Sequence, residues 1–456
     1  MPWSVINILR KNPDLMRWNM LRRFKDPRIV DEFVRADREW RRIQRELNEL
    51  RHKHNLISSE IPRLPQDLRS KRIKEARELL GIIKEHERRL KEVGKYRDRL
   101  LSAMPSILHK EVPVGPNELF NRVVRVWGRA RVQRRHLRLF LSETLAKGFR
   151  MDYEIIDYEV MGHADVLEKV LKLGNTLKAG KVSGSRFYYL LDDIVWLDFA
   201  LLMYAVDYLT RKRFRLVLPP YMLKGKYMAA VEELEAFKDA LYKIEDEDLY
   251  LIATAEHPLA AFRADEVIPE EELPLLYVGI SPCFRKEAGA ASRDIKGIFR
   301  VHQFHKVEQF AFTLPEQSWE IFNQLIKNAE ELYRGLGVPY RVVNIASGEL
   351  NLRAAMKYDL EAWYPAQGRF RELVSCSNVL DWQAYRLNIK YLRRKGMVRD
   401  YIHMLNSTAI ASTRTITALL ENFQKPDGAI EIPKILRKYL ELFKEAPKDY
   451  ILPKSS

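Results

Sequence analysis

Between Ser281 and Phe310 the chain carries cations, an aromatic ring and carboxylates at spacings that could hold a nucleotide. The segment reads as a strand, a small-residue polar loop and a returning strand. Arg285 and Glu287 then share a face, because side chains in a strand repeat every two residues. On the return strand Arg300, Phe304 and Glu308 share a face by the same rule. Together they offer a cation for phosphate, a flat ring for a base, and a carboxylate for an ammonium or hydroxyl group. Phe304 and Glu308 would stand about 13 Å apart, from a strand rise of roughly 3.3 Å per residue. A nucleotide with an amino acid joined at its phosphate could lie along such a surface. Each residue alone fits an ordinary surface hairpin; the combination points to a site.

Other routes to chemistry are absent from the sequence. There is no G-x-x-x-x-G-K-[ST] and no G-x-G-x-x-G, so a P-loop or Rossmann site is not expected. No H-E-x-x-H occurs, and His302 and His305 have no cysteine neighbours with zinc-ligand spacing. Cys283 and Cys376 are the only cysteines, too few for a disulfide framework, and they fit a cytosolic protein. The first ten residues lack a basic region ahead of a long apolar run, so no signal peptide is expected. Ile194 to Val206 is apolar, but it is short and contains Asp198, so no membrane span is expected either. With 78 Lys and Arg against 62 Asp and Glu, the chain carries a net charge of +16. That excess suits a polyanionic partner and also suits simple solubility.

These residues need elements to position them, and 456 residues imply more than one domain. Phe33, Ala36, Trp40, Ile43, Leu47, Leu50, His54, Ile57 and Ile61 alternate spacings of three and four, the seam of a coiled coil. Pro62 and Pro65 interrupt it. A second seam runs from Ala76 through Leu79, Ile83, His86, Leu90, Val93, Arg97 and Leu100 to Met104. The pair reads as an antiparallel helical hairpin over about 30–104, with arms roughly 45 Å long. His54, His86 and Arg97 interrupt the seams and read as register-setting or arm-tip polar positions. Arg35, Arg38, Arg41, Arg42 and Arg45 form a basic stripe off the apolar seam, equally suited to solvent and to a nucleic-acid backbone.

Met104 to Glu118, with three prolines and a glycine, reads as an interdomain linker. Beyond it, helical patterns (Val132 to Ala146, Ile194 to Leu209, Gln317 to Leu336) alternate with strand-like runs. The runs are Arg215 to Leu218, Leu275 to Ile280, Ile298 to Thr313 and Arg341 to Ile345. The order predicts an α+β domain with a largely antiparallel sheet.

The stretch Phe284 to Glu308 (FRKEAGAASRDIKGIFRVHQFHKVE) closely resembles motif 2 of the seryl-tRNA synthetases of the standard, non-zinc type. The resemblance covers nearly the whole chain. Ser183 to Pro220 resembles motif 1, Leu275 to Phe310 motif 2, and His403 to Phe423 motif 3. Thr254-Ala255-Glu256 and Glu372 to Asn378 match further family signatures. The resemblance implies a tRNA-binding domain over 1–110 and a class II catalytic domain over 111–456, its antiparallel sheet flanked by helices. It further implies a homodimer joined through motif 1, serine and ATP as substrates, Mg2+, and a tRNA-Ser with a long variable arm. The arm carrying Arg35, Arg38, Arg42 and Arg45 would grip that tRNA. Whether selenocysteine tRNA is charged too is left open.

Roles follow position by position from the same resemblance. Arg285 would bridge the serine carboxylate and the α-phosphate. Glu287 would accept from the adenine amino group, with Phe304 stacked on the ring and Lys286 and Val301 close by. Glu372 and Ser375 match the Mg2+ positions, with Leu373 and Val374 between them. Arg414 would hold the bent ATP tail. Thr254, Ala255 and Glu256 would lie on a serine-binding strand, Glu308 would read the substrate hydroxyl, and Asn406 and Thr408 would contact serine. The chain departs from the family pattern at Val379 and Leu380, at Tyr385 where arginine is usual, at Gly348 to Asn351, and at Thr408 where serine is frequent. Those changes bear on the serine pocket more than on the reaction class. The rival readings are a class II enzyme for another amino acid, a non-catalytic tRNA-binding paralogue and, last, a structural coiled coil.

Overall fold

The computed structural model describes residues 4–233, 238–287, 296–393 and 399–454. The small-residue loop expected after Glu287 falls on 288–295, outside the described residues. The chain divides into two compact units, with the break between Ile107 and Leu108.

The first unit is helical. Helices α1 (Val5–Lys11) and α2 (Pro13–Arg22) precede the long α3 (Arg28–Glu60) and α4 (Gln66–Ser102). At about 1.5 Å per residue the two arms run near 50 and 55 Å. The turn falls where the prolines require it. One 3-10 turn covers Ile61–Arg63, and Pro65 stands at the N-cap of α4. Phe33, Ala36, Ile43, Leu47 and Ile57 are buried against Ala76, Leu79, Ile83 and Leu100, which is the expected seam. Arg97 is a register device. It is buried and donates from Nε to Asp37 at 2.9 Å, with its guanidinium carbon 4.7 Å from the centre of the Trp40 ring. Asp37 also accepts two bonds from Arg10, at 2.9 and 2.8 Å, and one from Arg41 at 2.9 Å. Burial works against its charge, but Arg10 and Arg97 more than offset this and hold its carboxyl below the usual range.

The second unit is built on an eight-stranded sheet. Its strands are β1 (Arg122–Trp127), β2 (Arg215–Val217), β3 (Leu275–Phe284), β4 (Gln303–Thr313), β5 (Tyr340–Asn344), β6 (Met356–Tyr364), β7 (Arg369–Leu380) and β8 (His403–Ala411). Their order is β1-β5-β6-β7-β8-β4-β3-β2, antiparallel except where β3 meets the edge strand β2. Helices α5 (Asp193–Arg211), α8 (Ser318–Leu336) and α10 (Ser412–Asn422) cover one face. They bury Leu201, Leu325, Ala329 and Leu419 with Val307, Ala311, Leu360, Val374 and Ala409 of the sheet. Shorter helices α6 (Gly225–Val231), α7 (Glu256–Ala261) and α9 (Trp382–Arg386) close part of the other face with Met228, Leu259, Phe310, Ala384 and Met404.

Two expectations shift. The helical pattern over Val132 to Ala146 resolves into a strand ending at Gln133 and a helix over Leu137–Glu143. The return strand begins at Gln303 rather than Ile298. The break between the units falls inside the expected linker, and within the first unit Ser106 O accepts from Asn19 and Arg23. On the other side, His109 and the Pro113–Gly115 stretch bond to Ala355, Ser347 and Gly348 of the second.

Candidate active site

The open part of the sheet's second face forms a cavity of about 390 Å³. Alternation along β4 turns Phe304, Lys306 and Glu308 into it, while Gln309 points the other way and donates to Leu325 O of α8 at 3.1 Å. Thr408 of β8 lies directly across from Glu308, and Asn406 two residues before it lines the same wall. Across from Glu308 on the other side is Gly279 of β3. A Cβ at Gly279 would come within 2.7 Å of Leu259 and 3.1 Å of Ala255, so the missing side chain lets α7 approach the sheet closely.

A bulge supplies the next pair. Glu372 and Ser375 are three apart and would face opposite ways on a regular strand. The pairing of β6 with β7 skips Leu373, so Glu372 sits opposite Glu361 and Ser375 opposite Asp359, on one face. Both line the cavity. Arg414 reaches Glu372 from α10, with Nη1 3.2 Å from Oε1. The Glu372 side chain is 42% accessible from the cavity yet walled by protein. Burial opposes its charge, and Arg414, Lys357 and Arg285 outweigh burial, so its carboxyl sits below the usual range.

Arg285 follows β3 and is anchored by its backbone N–H to His302 O at 2.8 Å and by Nε to Ala253 O at 3.2 Å. Its guanidinium carbon lies 5.2 Å from the centre of the Phe304 ring. Strand periodicity does not extend to Glu287 or Arg300, since β3 ends at Phe284 and β4 starts at Gln303. Glu287 has φ of +52° and pairs with Arg300 at 3.3 Å, and it still lines the cavity.

At the far end, Lys306 Nζ donates to Thr254 Oγ1 at 2.6 Å and stands 2.5 Å from Glu308 Oε2. The second contact is a buried ion pair that engages Oε2, while no hydrogen bond from the described residues is made to Oε1. Burial raises the Glu308 carboxyl above its usual range. Glu256 adds to the rise, and Lys306 and Arg285 oppose it. Thr254 to Glu256 is not a strand: Thr254 lies in a bend, and its hydroxyl accepts from Glu256 N at 3.1 Å where α7 begins.

Twelve of the sequence-predicted residues thus line one cavity: Thr254, Glu256, Arg285, Glu287, Phe304, Glu308, Glu372, Leu373, Ser375, Asn406, Thr408 and Arg414. Lys286 does not; its side chain is exposed and its ammonium lies 5.6 Å from the centre of the Tyr242 ring. Ala255, Val301 and Val374 are buried in the core behind the wall. His302 stacks on Phe187, and His305 pairs with Asp198 at 2.8 Å. Of the departures from the family pattern, Val379 lines the cavity, while Tyr385 packs its ring on Tyr401 at 5.3 Å.

Sequence reasoning missed Lys306, Lys357, Glu232 and Arg353, all in the wall. The first had a signal, standing two residues before Glu308 in the same strand. Lys357 alternates with Asp359 and Glu361 in a strand whose other positions are apolar, which also marks a polar face. Lys357 pairs with Asp359 at 3.0 Å, and burial pushes the Asp359 carboxyl up to about 7. Glu232 and Arg353 had no local signal.

Among the described residues no group of three or more His, Cys, Asp and Glu is arranged to hold a metal. Mg2+ commonly takes one or two carboxylates and completes its shell with substrate phosphates and water. An ionised Glu372 beside the Ser375 hydroxyl fits that habit.

An antiparallel sheet with a nucleotide-sized cavity, a cation directly after β3 and another on the helix that follows β8 defines a class II aminoacyl-tRNA synthetase core. Residues 241–423 match the class II tRNA synthetase core domain for G, H, P, S and T, and residues 6–108 match the seryl-tRNA synthetase N-terminal domain. The serine–tRNA ligase of Staphylothermus marinus is 62% identical over 453 residues, 99% of each chain. The crystal structure of Pyrococcus horikoshii seryl-tRNA synthetase complexed with ATP is 48% identical, with a TM-score of 0.91 over 99% of this chain and 100% of that one. The cytoplasmic serine–tRNA ligase of Naegleria fowleri in complex with AMP is 38% identical, with a TM-score of 0.81 over 99% of each. The chain belongs to the seryl-tRNA synthetase family and is a class II serine–tRNA ligase.

Proposed function

We propose that the cavity runs the two steps of this ligation with ATP at the Phe304 end and serine at the Glu308 end. The observation that carries the reading is that Arg285, Phe304, Glu372 and Arg414 share one cavity with the Glu308 carboxylate. The serine carboxylate attacks the α-phosphorus in line, and pyrophosphate leaves. Arg285 bridges carboxylate and α-phosphate, and Arg414 holds the ATP tail, so both are in place where negative charge develops. Phe304 is the plate for adenine, and Glu287 accepts from its amino group, with Lys286 and Val301 alongside. Glu372 and Ser375 would hold Mg2+, which supplies positive charge at the phosphates. No protein nucleophile is needed; a terminal ribose hydroxyl of tRNA attacks the seryl-adenylate.

Selection of serine follows from the acceptor. Glu308 takes the substrate hydroxyl, so alanine leaves a buried acceptor unpaired. Thr408 adds a methyl that narrows the pocket against threonine. Thr254, Ala255, Glu256 and Asn406 complete the serine end, and Glu256 faces the ammonium.

Residues 1–110 form the tRNA-binding domain in this reading, with Arg35, Arg38, Arg42 and Arg45 on the backbone of a long variable arm. Residues 111–456 are catalytic, and the protein works in the cytoplasm. No helix among the described residues is long and apolar enough to cross a membrane. A second copy covers the exposed apolar surface of Phe199, Met203, Leu216, Leu218, Leu442 and Phe443, and light scattering should give twice the chain mass. The central test is amino-acid-dependent ATP–pyrophosphate exchange with Mg2+ and each of the twenty amino acids. Exchange with serine alone is expected. Exchange with another amino acid reassigns the pocket, and exchange with none makes the chain a tRNA-binding paralogue.

A further inference from the structure

Around Glu256, at the serine end of the cavity, stand four buried residues that none of the roles above uses: Glu232, His257, Arg353 and Gln383. Arg353 leads into β6, is 8% exposed, and ties three segments together. Its Nη1 donates to Glu256 Oε1 at 2.6 Å and to Val231 O, the end of α6, at 3.0 Å. Its Nη2 stands 3.0 Å from Glu232 Oε2. Gln383 of α9 repeats the pattern, with Nε2 donating to Glu256 Oε1 at 2.9 Å and to Val231 O at 3.0 Å. Glu232 is held in turn by His257 Nε2 at 3.4 Å and by the backbone N–H of Glu233 at 3.1 Å.

Two features of this arrangement bear on substrate. Both side-chain donors converge on one oxygen, Oε1 of Glu256; among the described residues no hydrogen bond is made to Oε2, and Glu256 lines the cavity. One guanidinium, that of Arg353, is also shared between two carboxylates, Glu232 and Glu256.

We infer that Arg353 is a positioning residue for amino-acid binding: with Glu232 and Gln383 behind it, it locks the Glu256 carboxylate so that Oε2 faces the substrate ammonium. The inference rests on the reading that Glu256 meets the serine ammonium. A guanidinium suits the task because its rigid fork spans both carboxylates at once, whereas a lysine is a single mobile charge. Displacing a binding group by about an ångström can cost on the order of a hundredfold.

The test is ATP–pyrophosphate exchange by the full-length protein, with serine and ATP varied separately. Arg353→Met should raise KM for serine about thirtyfold to a hundredfold, leaving KM for ATP and kcat at saturating serine within about threefold. Arg353→Lys, which keeps the charge without the fork, should recover part of the loss. Unchanged serine KM overturns the proposal, and so does a joint loss in serine, ATP and kcat, which marks a merely structural arginine. If Arg353→Met does not fold, Glu232→Gln decides. That variant keeps the guanidinium but weakens its second anchor, so a selective rise in serine KM supports the proposal and none overturns it. Glu256→Gln separates the two readings. If it leaves serine KM unchanged, the assignment of Glu256 fails; if it raises serine KM while Arg353→Met does not, only the role of Arg353 fails.

Discussion

The helical arm and the catalytic cavity use the same charged residues in opposite ways. On the arm, charges are paired along the helix surface: Arg42 with Glu39 and Glu46, Arg88 with Glu85 and Glu92. Such exposed pairs add little to stability. Its one buried carboxylate, Asp37, is surrounded by Arg10, Arg41 and Arg97. In the cavity, a buried group is left incomplete. Glu256 lines the cavity with no hydrogen bond to its Oε2 among the described residues, and one guanidinium, that of Arg353, is shared between Glu232 and Glu256. A folded chain tolerates such groups where a ligand finishes the set. The contrast separates a scaffold that is complete alone from a site that is complete only with substrate.

The sharpest break should come from the cavity's cations. Arg285→Ala should lower kcat for ATP–pyrophosphate exchange by about a hundredfold to a thousandfold, with the melting temperature little changed. On the arm the order reverses. Asp37→Ala removes the buried partner of Arg97, leaving it only the exposed Asp98, and should destabilise the helical unit by about 3 kcal/mol, read by hydrogen exchange in α3 and α4, while exchange activity persists. The pH dependence has a definite sign. Because the folded-state carboxyl titrates below its ordinary value of about 3.9, the contribution of Asp37 is complete above that value. It is lost as pH falls through the depressed folded-state value, so the stability gap to Asp37→Asn should be flat near neutrality and close only in acid.

Smaller changes refine the comparison. Glu308→Ala should raise KM for serine roughly tenfold to a hundredfold while ATP binding survives; unchanged serine kinetics would remove its role as hydroxyl acceptor. On the arm, Arg38→Ala combined with Arg45→Ala should raise KM for tRNA a few-fold and flatten its salt dependence. Arg42→Ala should do less, because that guanidinium is already held between two glutamates.

What could be read in the sequence divides along the same line. The arm was legible because each seam residue carries its own periodicity, and even the interruption at Arg97 was visible. Its partner Asp37 was not, since a carboxylate in a charged helix carries no mark of burial. In the sheet, α5 and α8 announce themselves by apolar spacing, and Phe304 and Glu308 share a face because β4 is regular between them. Glu372 and Ser375 could be paired only by resemblance. The bulge at Leu373 that brings them to one face leaves no trace in a period-two pattern. Arg353 was invisible for a different reason: its partners lie about a hundred residues away, at 232 and 256.

Gly279 has a consequence for how substrate choice could drift. It does not line the cavity, yet the space where its side chain would be sets the gap between the wall bearing Glu308 and the helix bearing Glu256. A methyl group there would act as a shim, moving one jaw of the pocket while leaving every residue that faces the ligand unaltered. The gauge that measures the substrate is therefore partly set from behind, and a new specificity could start at a position that a survey of substrate contacts would pass over.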